Sequence, residues 1–115
     1  MYEVVETEMS WYDARTNCIS KGGELASWHT SEEHSKAIVG TGVSKHYWVG
    51  LFKNEAYNWV WTDESNTGWL KWGSGYPKDN VGTCAHISSA VSDGALYNSQ
   101  CFYTNKGSIC KISNG

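Results

Sequence analysis

The cysteines constrain this chain more than any other feature. Four are spread over 115 residues, at positions 18, 84, 101 and 110. No Cys-x-x-Cys pair occurs among them, which argues against a zinc ribbon or a thioredoxin-like redox pair. An even number of well-separated cysteines in a short chain reads as two disulfides in a secreted domain, with four free thiols in a cytosolic protein as the plainer alternative. Three pairings of four cysteines are open on this ground. The chain starts with Met1, Tyr2, Glu3 and a β-favourable run rather than an apolar leader. We therefore expect a mature secreted protein with an added methionine. The length suits one domain, residues 1–115.

Aromatic residues make up 14% and charged residues 18%, enough to fill a core. Seven tryptophans and seven tyrosines stand against two phenylalanines. Rings with polar edges suit a loop-rich domain in which part of each ring meets solvent or ligand. The formal net charge of −3, with nine scattered Lys and Arg, excludes nucleic-acid binding through bulk charge. No apolar run approaches the ~18 residues needed to span a membrane.

Residues 2–7 read as a first strand. Ser10 then caps a helix, with Asp13 three residues on, and Trp11, Ala14, Cys18 and Ile19 are expected to form its apolar stripe. Gly22 and Gly23 end it. Thr30 with Glu33 is a capping box for a second, short helix closing at Ala37, Ile38 and Gly40. Residues 47–51 and 58–61 read as aromatic and β-branched strands. Residues 62–74 are polar and lack a period. Cys84–Ser88 alternates as a strand, 90–94 turns, and 96–99 and 108–112 close the sheet. Two early helices followed by a run of strands is an α+β pattern. The stretch 69–84 holds the only proline, Pro77, among Tyr76, Lys78, Asp79 and Asn80. It is a stiff loop with outward polar groups, built as a binding loop or as an ordinary surface turn.

These segments, in this order, resemble a C-type lectin-like domain across nearly the whole chain. Residues 11–18 resemble the family's first helix, 22–27 its glycine–leucine turn, and 30–33 its second helix start. Trp48-Val49-Gly50-Leu51 resembles the tryptophan–isoleucine–glycine–leucine strand, and Trp61-Thr62-Asp63 with Trp72 the tryptophans before the ligand loop. The resemblance implies two helices packed on antiparallel sheets, a long irregular ligand loop, disulfides Cys18–Cys110 and Cys84–Cys101, and a cis Tyr76-Pro77 bond. The lack of a further N-terminal cysteine pair resembles the short form of the domain.

The same resemblance places a calcium-bridged sugar site around the proline. There Tyr76 and Lys78 take the two ligand positions beside Pro77, and Tyr97-Asn98-Ser99 takes the place of Trp-Asn-Asp, so only Asn98 matches well. Gly82 and Thr83 stand where an acidic residue is expected. Calcium needs six to eight oxygens, with carboxylates supplying most of the affinity. A phenol adds no charge and an ammonium repels the ion. We expect no calcium site of the usual kind, with Lys78 donating to Asn98 or to ligand instead. Weak binding of calcium through Asp79 and Asn80, or of zinc, stays open.

The first functional reading is a secreted, calcium-independent lectin for glycans, including microbial ones in innate defence. Trp69, Tyr76 and Tyr97 would stack on sugar C–H faces, while Lys78, Asp79, Asn80, Asn98 and Ser99 would complete the ligand-binding set. Core packing is the plainer reading of Trp69, and Trp48, Trp59, Trp61 and Trp72 are assigned to the core. The alternative is a protein-recognition module on the same fold, with ice binding as a third reading. A homodimer is compatible with the aromatic surface. His29, His34, His46 and His86 are expected at the surface rather than on a metal. No nucleophile elbow or metal-protease motif frames the Ser, His and Asp residues, so no enzyme activity is expected.

Overall fold

Local signals at both helices behave as their chemistry dictates. The Ser10 side chain accepts from the Asp13 N–H and starts α1, Trp11–Ser20. The Thr30 side chain does the same for Glu33 and starts α2, Ser31–Ile38. Glu33 reaches back one residue further than a capping box requires, accepting from the His29 N–H at 2.7 Å and pairing with His29 Nδ1 at 3.0 Å. Around these helices the computed structural model, which describes residues 1–42, 45–88 and 94–113, has seven strands. They are β1 (Tyr2–Met9), β2 (Gly23–Leu25), β3 (His46–Lys53), β4 (Trp59–Trp61), β5 (Cys84–Ser88), β6 (Ala95–Ser99) and β7 (Lys106–Ile112). The turn expected over 90–94 lies outside the described residues except for Gly94.

The sheet runs β1-β7-β3-β5-β6, with β2 on β7 and β4 on β3. Its pairings are antiparallel except β3 with β7, which is parallel. Both disulfides form as the resemblance implies, Cys18 with Cys110 and Cys84 with Cys101.

Two buried clusters hold these elements together. One gathers Trp28, Tyr47, Val49, Leu51, Trp61, Ile87, Leu96 and Ile109. The other gathers Trp11, Ala14, Leu25, Trp48 and all four cysteines. Of the buried indoles, Trp11 donates to Val49 O and Trp48 to Met9 O, each at 2.9 Å, whereas the Trp28 and Trp61 N–H groups make no hydrogen bond among the described residues. Trp59 and Trp72 are half-buried and meet edge to face at 5.1 Å.

Two expectations fail here. Ile19 is 51% exposed, because it lies about 100° around the helix from Cys18, off the stripe set by positions 11, 14 and 18. The histidines are not all at the surface. His34 and His86 are buried, His34 between the Trp28 and Trp69 rings with its Nε2 2.8 Å from Gly94 O.

Candidate ligand-binding loop

Residues 73–83 lead from Trp72 to β5 and pass over the end of β6. The Tyr76-Pro77 bond is cis. Asn98, in β6 and only 3% exposed, holds this loop. Its Oδ1 accepts from the Lys78 N–H at 3.0 Å, and its Nδ2 donates to Lys78 O and Gly82 O, both at 2.8 Å. Both amide donors are thus used and one acceptor site is filled. Gly82 has φ +150 and lies so close to β6 that an added Cβ would stand 2.0 Å from the Ser99 carbonyl carbon. Only glycine fits there.

The Lys78 ammonium does not reach Asn98 as expected. It lies over the Tyr76 ring, 4.7 Å from its centre, where a cation meets the negative face of the ring. Tyr76 meets Tyr97 edge to face at 4.7 Å, Tyr97 stacks on His86 at 6.0 Å, and His86 meets His46 at 5.2 Å. A hollow of about 270 Å³ is lined by His46, Tyr76, His86, Ser88, Tyr97 and Asn98. A second, of about 310 Å³, shares none of these residues and is lined by Lys53, Tyr57, Lys78, Asn80, Gly82, Thr83 and Gln100.

Burial dominates the electrostatics of the first hollow. It pushes the His86 imidazole down to about 3, with Lys106 and His46 acting in the same direction and a contact with the Ile87 backbone opposing them. His86 Nδ1 makes no hydrogen bond of good geometry, and neither does Ser88 Oγ. His46 is lowered by burial and then by Lys106. Lys106 is itself lowered by burial, with its ammonium donating to Asn105 Oδ1 at 2.9 Å and facing the Trp48 ring at 4.9 Å.

Of the residues singled out in the sequence, Tyr76, Tyr97 and Asn98 come together at the first hollow, and Lys78 and Asn80 at the second. Asp79 is exposed on the loop and lines neither. Ser99 is buried, its hydroxyl without a partner. Trp69 packs against the core and the His34 ring at 5.4 Å, and it also lines neither hollow.

His46, His86, Ser88, Lys53, Tyr57, Thr83 and Gln100 were not anticipated. The signal for two of them was the alternation in Cys84–Ser88. Ala85 and Ile87 face the core, which turns His86 and Ser88 to the other face. Pairing of His46 with Ser88 and of Trp48 with His86 then puts the two histidines on one diagonal.

A larger cleft, about 850 Å³, lies elsewhere, lined by Arg15, residues of β3 and β4, and residues 64–68. No group of three or more His, Cys, Asp or Glu able to hold a metal occurs among the described residues.

The family described as "Lectin C-type domain" matches residues 7–112. The chain belongs to the C-type lectin domain family. It is 32% identical over 108 residues to the type-2 ice-structuring protein of Hemitripterus americanus, covering 93% of this chain and 64% of that one. The chain therefore spans a little under two thirds of that relative's length. It is 28% identical to the galactose-specific lectin nattectin of Thalassophryne nattereri, covering 89% of this chain and 67% of that one. A crystal structure of a calcium-independent type II antifreeze protein superposes with a TM-score of 0.84 at 29% identity, covering 95% of this chain and 82% of that one.

Proposed function

We propose that this domain binds carbohydrate through the loop 76–82 and the end of β6, without a bridging calcium ion and without catalysis. The observation that carries the reading is the Asn98 clamp. The one side chain that matches the family's calcium ligands spends its amide on Lys78 and Gly82 main-chain atoms. The neighbouring positions hold a phenol and an ammonium in place of carboxylates. Six to eight oxygens are not gathered here, so the donor set does not fit calcium. What remains is suited to a sugar: the Tyr76–Tyr97 pair offers ring surface for C–H faces, beside hydroxyl, imidazole and amide groups. Family membership and the galactose-specific relative favour the same reading. Two disulfides suit an oxidising, extracellular setting, where the glycans of microbial surfaces are within reach.

Titration with methyl β-galactopyranoside, followed by amide chemical shifts, is the direct test. Shifts at residues 76–82 and 97–99 should appear equally with calcium and with chelator. Shifts that require calcium would remove the metal-free part of the reading, and none at all in this region would remove the whole.

Adsorption to ice is the second reading. It is favoured by the similarity to an ice-structuring protein and to a calcium-independent antifreeze structure. A gap between melting and freezing points, with no sugar-induced shifts at the loop, would favour it over the first.

A further inference from the structure

We propose that the hollow beside the clamped loop selects acidic saccharides, receiving a sulfate ester or carboxylate between Lys53 and Lys78. The proposal rests on the carbohydrate reading above and names the chemical class of the sugar.

The protein as a whole is acidic, with a formal net charge of −3. Its second hollow is not. Two ammonium groups line it together with Asn80, Thr83 and Gln100, and no carboxylate does. Among the described residues, the ion pairs are Arg15 with Glu24, Lys21 with Glu3, His29 with Glu33 and Lys45 with Glu6. Lys53 and Lys78 belong to none of them. Each instead lies over a tyrosine, Lys53 over Tyr57 at 5.6 Å and Lys78 over Tyr76 at 4.7 Å. A tyrosine face holds an ammonium without neutralising it, so both charges stay available to an incoming anion.

The main-chain segments that carry the two lysines are also held in place. The Lys53 N–H donates to Thr83 O at 2.8 Å, within the wall of the hollow. The Lys78 main chain is gripped on both sides by Asn98. Little backbone ordering is therefore left to occur on binding. The amide groups of Asn80 and Gln100 and the Thr83 hydroxyl supply neutral donors for the remaining anion and sugar oxygens. Tyr57, 80% exposed, offers a ring face to the sugar. Glu55 and Asp79 are near in sequence, but neither lines the hollow. The absence of a bulk positive field excludes long polyanions and leaves this local contact intact.

The test compares four probes by amide shifts on the intact protein: methyl β-galactopyranoside, its 6-sulfate, methyl galacturonoside and inorganic sulfate. Two exposed charge contacts should make both acidic sugars bind about fivefold tighter than the neutral one. The advantage should hold at about 0.01 M ionic strength and vanish near 1 M, as the Debye length falls from about 30 to about 3 Å. Shifts should centre on residues 53, 57, 78–83 and 100. Lys53→Met, outside the sugar-binding loop, should remove most of the advantage while leaving neutral-sugar affinity and melting temperature near wild type, and Lys78→Met should remove most of it as well. Equal affinity for acidic and neutral sugars at the loop would overturn this proposal and leave the carbohydrate reading standing. Inorganic sulfate binding as tightly as the sulfated sugar would overturn it by showing an ion site alone. No shift at the loop with any sugar would overturn both.

Discussion

Two loops of this domain, residues 62–68 and 76–82, have the same length and are held by different means. The first is held from within. Asp63 Oδ1 accepts from the Ser65 N–H at 3.0 Å and from its hydroxyl, while Asn66 Oδ1 accepts from the Gly68 N–H. Two longer reaches, from Ser27 to Asp63 Oδ2 and from the Thr62 N–H to Gly50 O at 2.8 Å, tie its start to the body. The second is held from outside, by the amide of Asn98 some twenty residues on. A self-held loop keeps its shape wherever it is placed. A loop gripped by a remote strand keeps its shape only while that strand is in register, so its conformation reports on the sheet.

Cutting the covalent tie beside the second loop should have the largest effect. Replacing Cys84 and Cys101 by serine frees a segment with a sequence separation of 17, worth about 3 kcal/mol by chain entropy. Denaturant unfolding should show that loss, and hydrogen exchange should accelerate at 76–82 more than at 62–68. Equal acceleration in both loops would break the comparison.

Asn98→Ala comes next. It leaves Lys78 N, Lys78 O and Gly82 O without their partner, which should cost about 2–3 kcal/mol and abolish sugar-induced shifts at the loop. An unchanged loop spectrum would mean that the clamp is incidental.

Acid should separate the regions as well. His86 in the folded protein is pushed down to about 3, against about 6.5 unfolded. The unfolded chain therefore binds the extra proton first, and stability falls as the pH drops from about 6.5 towards 3. Between pH 7 and 5 this should amount to roughly 2 kcal/mol, and His86→Asn should flatten it. Asp63 behaves differently. Although burial acts to raise it, hydrogen bonds from Ser27 and Ser65 hold its carboxyl below the usual value. Its contribution should persist until the pH falls below about 4. Asp63→Ala should cost about 1 kcal/mol at neutral pH and spare the 76–82 amides.

The smallest effect concerns calcium. Millimolar calcium should leave the melting temperature unchanged in the presence and absence of chelator. A rise of several degrees would show that the loop gathers oxygens around the ion after all.

Where local chemistry decides, the sequence was easy to read. Ser10 and Thr30 cap their helices, Cys84–Ser88 is a strand with the bounds its alternation implies, and the order of motifs carries the disulfide pairing through the family resemblance. Distance in sequence set the limit. Nothing near Lys78 indicates that its main chain, rather than its ammonium, would engage Asn98. Nothing near Lys53 says that it would share a hollow with Lys78, since Thr83 brings them together through one backbone bond. Ile19 was misplaced by a single step around the helix, an error that the angle between neighbouring residues could have prevented.

The Asn98 clamp touches Lys78 and Gly82 only through main-chain atoms. Every residue except proline carries the same N–H and C=O, so the grip is indifferent to which side chain stands at position 78. Positions 78, 79 and 81 therefore form an exchangeable cassette on a fixed anchor, with Gly82 barred by its contact with Ser99 and Asn80 held to residues that tolerate its φ of +62. Randomising those three positions should diversify ligand preference without retuning the scaffold, a property usually sought in engineered binding loops.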